Sequence, residues 1–252
     1  MTAWLVVTLM APMASFGERS GNVERSTADR PTRSALIGLA GAALGVRRAD
    51  HEGQRRLRES FRIATATVGA GVLIADFHTY QSLPSNVKPV PRTRAEALHR
   101  KADLNTSITR REYRADVWYE AAYAQQQGAH WTLAELASAF RRPRFTLCLG
   151  RKSCPLGAPL DPGVVEAAHL SDLFAQRARA AAWRDSSSLV FDRRHWRHRG
   201  GPVASEQAED FGVANIPLHR YRRRDEPGDR LAWQFGPRQE FVLPALEEEE
   251  GT

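Results

Sequence analysis

The chain has 252 residues, 42% of them hydrophobic and 26% charged, and a formal charge of +7. This is enough apolar material to bury the core of one large domain. The longest apolar run, Ala35 to Val46, falls short of the ~20 residues a membrane-spanning helix needs. Two cysteines, Cys148 and Cys154, exclude a disulfide framework; their spacing fits neither a CxxC pair nor a zinc knuckle, so they read as buried or idle thiols.

The opening "MTAWLVVTLMAPMAS" is apolar and ends in small residues, but it lacks the basic segment that starts a secretion signal. Trp4, Val6 and Thr8 alternate with Leu5, Val7 and Leu9 up to Pro12, which predicts a buried strand over 3–9 and a cytoplasmic protein. A polar loop follows over 17–30. The stretch "PTRSALIGLAGAALG" (31–45) is apolar nearly all round, as in a helix pressed into a core. Its glycines lie inside that helix. A Rossmann fingerprint places them before it and a Walker loop ends in Gly-Lys-Ser/Thr, so no nucleotide cofactor is expected. Gly38 and Gly41 read as close-packing positions and Gly45 as the helix stop. Arg30, Thr32, Arg33 and Ser34 precede the helix at the positive end of its dipole. They read either as an anion site for a backbone phosphate or as plain N-capping by Thr32 or Ser34.

A short helix over 51–60 leads to "FRIATATVGAGVLIADFH" (61–78), whose β-branched residues predict two strands around Gly69 to Gly71. Residues 79–108 carry Pro84, Pro89 and Pro91 with little apolar periodicity, and a loop that long in a compact domain is functional or disordered. A strand is expected over 111–123. The clearest helix is 133–140, opened by a capping box of Thr132 and Glu135 and stopped by Pro143. "RFTLCLG" (144–150) is then read as a strand. Beyond it come a helix over 172–183, strands near 187–192, 231–235 and 239–243, a turn at 226–229, and an acidic end, 247–252, whose like charges repel. The order of elements predicts an α+β fold with a ferredoxin-like βαββαβ body and an irregular β-rich C-terminal part.

The charge is unevenly placed. Setting aside Glu247 to Glu250 raises the formal charge from +7 to +11. Lys88, Arg92, Arg94, Arg100, Lys101, Arg110, Arg111 and Arg114 crowd one stretch, and Arg141, Arg142, Arg144, Arg151 and Lys152 another that contains no acid. Such clusters attract a polyanion or form a solvated basic face. Tyr113, Trp118 and Phe145 lie beside them as stacking candidates, although Trp118 and Phe145 fit core positions better. His195 and His198 in "RRHWRHRG" have metal-like spacing without a further ligand nearby and read as a basic patch. No metal site is expected.

The strings "APMASFG" (11–17), "RPTRSALIGLAGAALGVRR" (30–48), "DFHT" (76–79), "TRREYRADVWY" (109–119) and "PRFTLCLGRKSCPLGAPL" (143–160), taken together and in this order, resemble the CasD family of type I-E CRISPR Cascade subunits, within the RAMP superfamily. The match weakens in the C-terminal third, where 163–188 looks like an insertion. The resemblance implies one RAMP-type domain with a ferredoxin-like, RRM-like body and an extended β-hairpin thumb over 79–110. The C-terminal extension would run over 161–246. It implies a non-catalytic subunit for antiviral defence that holds the 5′ handle of the CRISPR RNA and caps the backbone filament. Its partners would be a neighbouring backbone subunit, the large subunit and, through the complex, target DNA. By the same resemblance the RNA contacts are Arg110 or Arg111 and "LGRKS", that is Leu149, Gly150, Arg151, Lys152 and Ser153. Thr32 to Ser34 would add a further contact, with Arg30, Tyr113 and Arg144 close by. Relatives in other CRISPR subtypes cut repeat RNA, so a metal-independent endoribonuclease with His99, Lys101 and Tyr113 as candidates is the alternative.

Overall fold

A computed structural model of the chain describes residues 1–17, 23–180, 201–212, 217–229, 232 and 234–244. Its first strand, β1 (Thr2–Ala14), is longer than the sequence predicts and is covered on both faces. Leu5, Val7, Leu9 and Ala11 point into one apolar core, and Trp4 and Val6 into a second on the opposite side. Burial on both sides explains the nearly unbroken apolar run.

After β2 (Glu24–Arg25) comes α1 (Arg33–Leu44), capped by the Thr32 hydroxyl, which accepts from the Ala35 amide. Gly45 ends it in the left-handed region, φ 83°, as an L side chain rarely does. Gly41 faces Leu57 of α2 (His51–Ser60) so closely that an added Cβ would lie 2.9 Å from its Cδ2, so its role is packing. β3 (Phe61–Gly69) and β4 (Val72–Ser82) are the two strands expected around Gly69 to Gly71. A connection containing α3 (Arg94–His99) leads into β5 (Asn105–Gln125), 21 residues long. Then follow α4 (Leu133–Arg141), with both halves of its capping box made, β6 (Gly163–Ala167) and α5 (Leu170–Ala180). β7 (Val203–Ser205), β8 (His219–Pro227) and β9 (Phe235–Leu243) complete the described elements.

The strands join in the order β6-β1-β5-β3-β7-β9-β8, with β2 and β4 paired to β5 off this path. The β6-β1-β5-β3 stretch is antiparallel throughout. Side chains of α1 and α4 fill the core on one face, and Leu170 and Leu173 of α5 help fill the other.

The structure corrects the expectations for residues 144–150, Phe145 and the stretch 79–110. Residues 144–150 form no strand; their one ladder contact is an isolated bridge between Cys148 and Pro155. The cause is α1, whose terminal carbonyls on Ala43 and Ala42 accept from the Arg144 and Phe145 amides and hold the segment against the helix end. Phe145 is consequently 45% exposed, whereas Trp118 is buried as expected. The stretch 79–110 is not irregular over its length, because β4 and the first half of β5 form a continuous two-stranded ladder from Val72–Ala115 to Ser82–Asn105. Residues 163–167 pair with β1 as a sheet strand, and the C-terminal strands continue the same sheet. The predicted strand at 187–192, His195, His198 and the acidic end lie outside the described residues, as does part of 231–235.

Candidate nucleic-acid interface

The base of the β4–β5 hairpin meets the loop after Leu149, and most of the predicted contact residues gather there. Leu149 is buried and anchors the loop: its carbonyl accepts from the Ser15 amide, and its amide donates to the Cys154 carbonyl. A tight turn closes the loop through Cys154 N–H to the Arg151 carbonyl. Gly150 has φ 86°, and a Cβ there would fall 1.8 Å from the Ser15 carbonyl oxygen, so only glycine fits. Lys152 and Ser153 are left exposed at the tip. Burial pushes both cysteine thiols above their ordinary range, so they stay protonated at neutral pH.

Arg151 leans back over Tyr113, its guanidinium carbon 4.7 Å from the ring centroid. Its Nη1 donates to the Glu112 carbonyl (3.2 Å) and its Nη2 to the Arg25 carbonyl (2.9 Å). Carbonyls satisfy these donors without cancelling the charge, so the site keeps a fixed cation beside a buried aromatic ring. Strand alternation separates the two neighbouring arginines. Arg111 and Tyr113 share a face, and the Arg111 Nε is enclosed without a hydrogen-bond partner among the described residues. Arg110 points the other way, with its side chain 46% exposed and a Glu112 carboxylate oxygen 3.7 Å off. Arg111, Tyr113, Leu149, Gly150, Arg151, Lys152 and Ser153 are brought together at one place, with Arg110 on the opposite face of β5.

Arg144 belongs elsewhere. It is exposed at the C-terminal end of α1, its stem against Gly45. The helix, about 18 Å long, separates it from Arg30 to Ser34. At that opposite end, the anion position is filled from within the chain. The Arg33 amide donates to Asp225 Oδ2 at 2.8 Å, and the Arg33 side chain pairs with Glu206 and Glu226, both at 2.6 Å. Arg30 donates to Glu240 at 2.7 Å and to Asp29 at 2.9 Å. Both arginines are only 6% exposed. Thr32 caps the helix and shares a hydrogen bond with Ser34. Arg30 and Arg33 thus fasten the β8–β9 hairpin to α1. Burial alone would raise the Glu240 carboxyl, but Arg223, Arg238 and Arg30 hold it below the usual carboxylate range.

Sequence reasoning misses this lock because Glu240 stands 210 positions from Arg30 and Asp225 stands 192 from Arg33. It also misses Ser15, Glu112 and Arg25, which shape the loop through backbone carbonyls that carry no side-chain signal. His99 and Lys101 are exposed in the hairpin connection while Tyr113 is buried under Arg151. No hydrogen bond joins the three among the described residues. Among those residues, no three of His, Cys, Asp and Glu gather as metal ligands, and no helix is long and apolar enough to cross a membrane.

The family model described as CRISPR-associated protein (Cas_Cas5) matches residues 4–239. The chain belongs to this CRISPR-associated family. It is similar to the CRISPR system Cascade subunit CasD of Escherichia coli (strain K12), with 30% identity over 243 residues covering 96% of each chain. Among solved structures it resembles a chain of a CRISPR RNA-guided surveillance complex, at 25% identity and a TM-score of 0.61 over 96% of this chain and 90% of the other. A structure described as a Cas protein shares the fold at 22% identity and a TM-score of 0.54, covering 98% of both chains. The family match thus extends through the C-terminal third, where the motifs alone fade.

Proposed function

We propose that this member of the family is the non-catalytic, RNA-binding subunit of a type I-E Cascade complex. In this reading it is a cytoplasmic protein that holds the 5′ handle of the CRISPR RNA and caps the backbone filament. It touches the neighbouring backbone subunit and the large subunit, and meets target DNA only through the assembly. The antiparallel β6-β1-β5-β3 order with α1 and α4 on one face supports a ferredoxin-like body, β6 serving as its fourth strand. The β4–β5 hairpin, off the main path of the sheet, is the thumb.

The observation that carries this reading is the arrangement at the hairpin base. Arg151 and Arg111 lie beside Tyr113, no carboxylate among the described residues pairs with Arg151, and Gly150 lets the loop pack against the Ser15 carbonyl, which fixes the loop in this position. Single-stranded RNA is held by such phosphate contacts beside apolar and aromatic surfaces. Arg110, Arg111, Arg151, Lys152 and Ser153 take the handle phosphates, and Leu149 and Tyr113 hold the platform.

The test mixes the purified chain with a labelled repeat transcript in EDTA and resolves the RNA on native and denaturing gels in parallel. An intact RNA, shifted only when the handle sequence is present, is the expected result. A discrete cut within the repeat overturns the reading in favour of a processing nuclease, and equal shifts for unrelated RNA reduce it to nonspecific binding.

A further inference from the structure

The short strand β2 lies beside β5, and the pairing sorts the charges at the hairpin base by face. Glu24 stands next to Arg110, and Arg25 next to Arg111. Strand alternation puts Glu112 on the face of Arg110, a carboxylate oxygen 3.7 Å from that guanidinium, so Arg110 has two acids beside it. On the opposite face Arg111 has Arg25 on one side and Asp76 of β4 on the other. The row across the three strands therefore reads Asp76, Arg111, Arg25. Tyr113, with Arg151 over its ring, is the next position along that face.

Opposite charges that face each other across a ladder ordinarily pair, which would neutralise Arg111 with Asp76. Asp76 is turned along its own strand instead: its Oδ2 lies 2.5 Å from His78 Nε2, two residues on and on the same face. Arg111 is left without an ion pair among the described residues, and its Nε is enclosed with no hydrogen-bond partner there. The Thr109 hydroxyl, opposite His78 on this face and 4% exposed, is likewise unpartnered among those residues. Arg25 is exposed, and its carbonyl holds Arg151 Nη2 at 2.9 Å. Three arginines thus share a face on which buried donors lack acceptors. Like charges one strand spacing apart repel, and an anion bridging them removes the repulsion while supplying acceptor oxygens.

We infer that Arg25 and Arg111 together clasp one phosphate of the RNA backbone, and that His78 is a positioning residue that keeps the clasp open by holding Asp76 off Arg111. The inference rests on the RNA-binding reading above. It adds Arg25, which lies outside the family motifs, and gives "DFHT" (76–79) a role.

The test is the affinity of the full chain for a labelled repeat RNA over a range of salt, with a melting curve for each variant. Arg25→Gln should weaken binding about tenfold and make the log–log salt slope shallower by about 0.7, at an unchanged melting temperature. His78→Ala should weaken it about two- to fivefold, the worth of the Asp76–Arg111 pair that is then released to compete with the RNA. Adding Asp76→Asn to His78→Ala should restore wild-type affinity, which a merely structural role for His78 would not produce. Wild-type affinity and slope in Arg25→Gln, or an equal loss from Arg222→Gln on the exposed surface of β8, refutes the clasp while the loop site stands. A double variant that binds no better than His78→Ala refutes the positioning role. A wild-type chain that leaves the repeat RNA unshifted overturns the RNA-binding reading and this inference with it.

Discussion

Two regions of this protein use arginine in opposite ways. At the start of α1, Arg30, Arg33, Arg223 and Arg238 are enclosed with Glu240, Asp225 and Glu206, and their charge is spent within the chain. At the base of the β4–β5 hairpin, Arg110 and Lys152 are exposed and Arg151 has two carbonyls and the Tyr113 ring as partners among the described residues, so positive charge survives at the surface. The difference is made by partners rather than by residue type. An arginine beside a buried carboxylate is a fastener, and one beside carbonyls and a ring is a receptor for an anion.

The sharpest way to break this contrast is to remove the acid at the centre of the lock. Glu240→Ala leaves three guanidiniums facing one another without their shared carboxylate, and removing one partner of a buried ion network costs about 3–5 kcal/mol. The melting temperature should fall by about 10 °C, read by calorimetry or circular dichroism. The same carboxylate sets a pH dependence. Its pKa is depressed in the folded chain, so its contribution is present above the ordinary carboxylate range and is lost as pH falls through that range and below it. Wild type should therefore lose more stability between pH 5 and pH 3 than the Glu240→Gln variant does.

Gly150→Ala comes next. It forces a left-handed backbone and a clash with the Ser15 carbonyl, together worth about 2 kcal/mol or more. Because the strain falls on the loop, RNA affinity should drop at a temperature where the core remains folded, which a binding isotherm beside a melting curve distinguishes. Arg151→Ala removes a fixed charge and the cation over Tyr113, and should weaken handle RNA about tenfold while shifting stability by only about 1 kcal/mol. Smallest is Glu206→Gln. Burial raises this carboxyl above its usual range despite Arg33 and Arg238, so its charge is poorly supported, and the neutral isostere should change the melting temperature far less than any change at Glu240.

The same contrast explains what the sequence reveals. Element boundaries set by local chemistry are legible: the Thr132–Glu135 capping box, the Gly45 stop, the short helix over 51–60 and the strand pair around Gly69 to Gly71 all lie where pattern places them. Features decided by distant competitors are not. "RFTLCLG" has strand composition, but the open carbonyls at the end of α1 capture its amides. The closeness of Arg111, Tyr113 and the Gly150 loop is foreseeable from family motifs, although the opposite facing of Arg110 is not. The inward turn of Arg30 and Arg33 is not, since Asp225 and Glu240 lie in a segment whose motifs match weakly.

The most direct measurement is the salt dependence of handle-RNA affinity for wild type and for a variant with Arg110, Arg111, Arg151 and Lys152 all replaced by glutamine. Four phosphate contacts on a single strand contribute a log–log slope of about −2.8, so the variant should lose roughly that much of the slope while keeping the wild-type melting temperature within about 4 °C. An unchanged slope, or a melting temperature that collapses as in Glu240→Ala, would mean that these residues fasten the fold rather than receive the RNA.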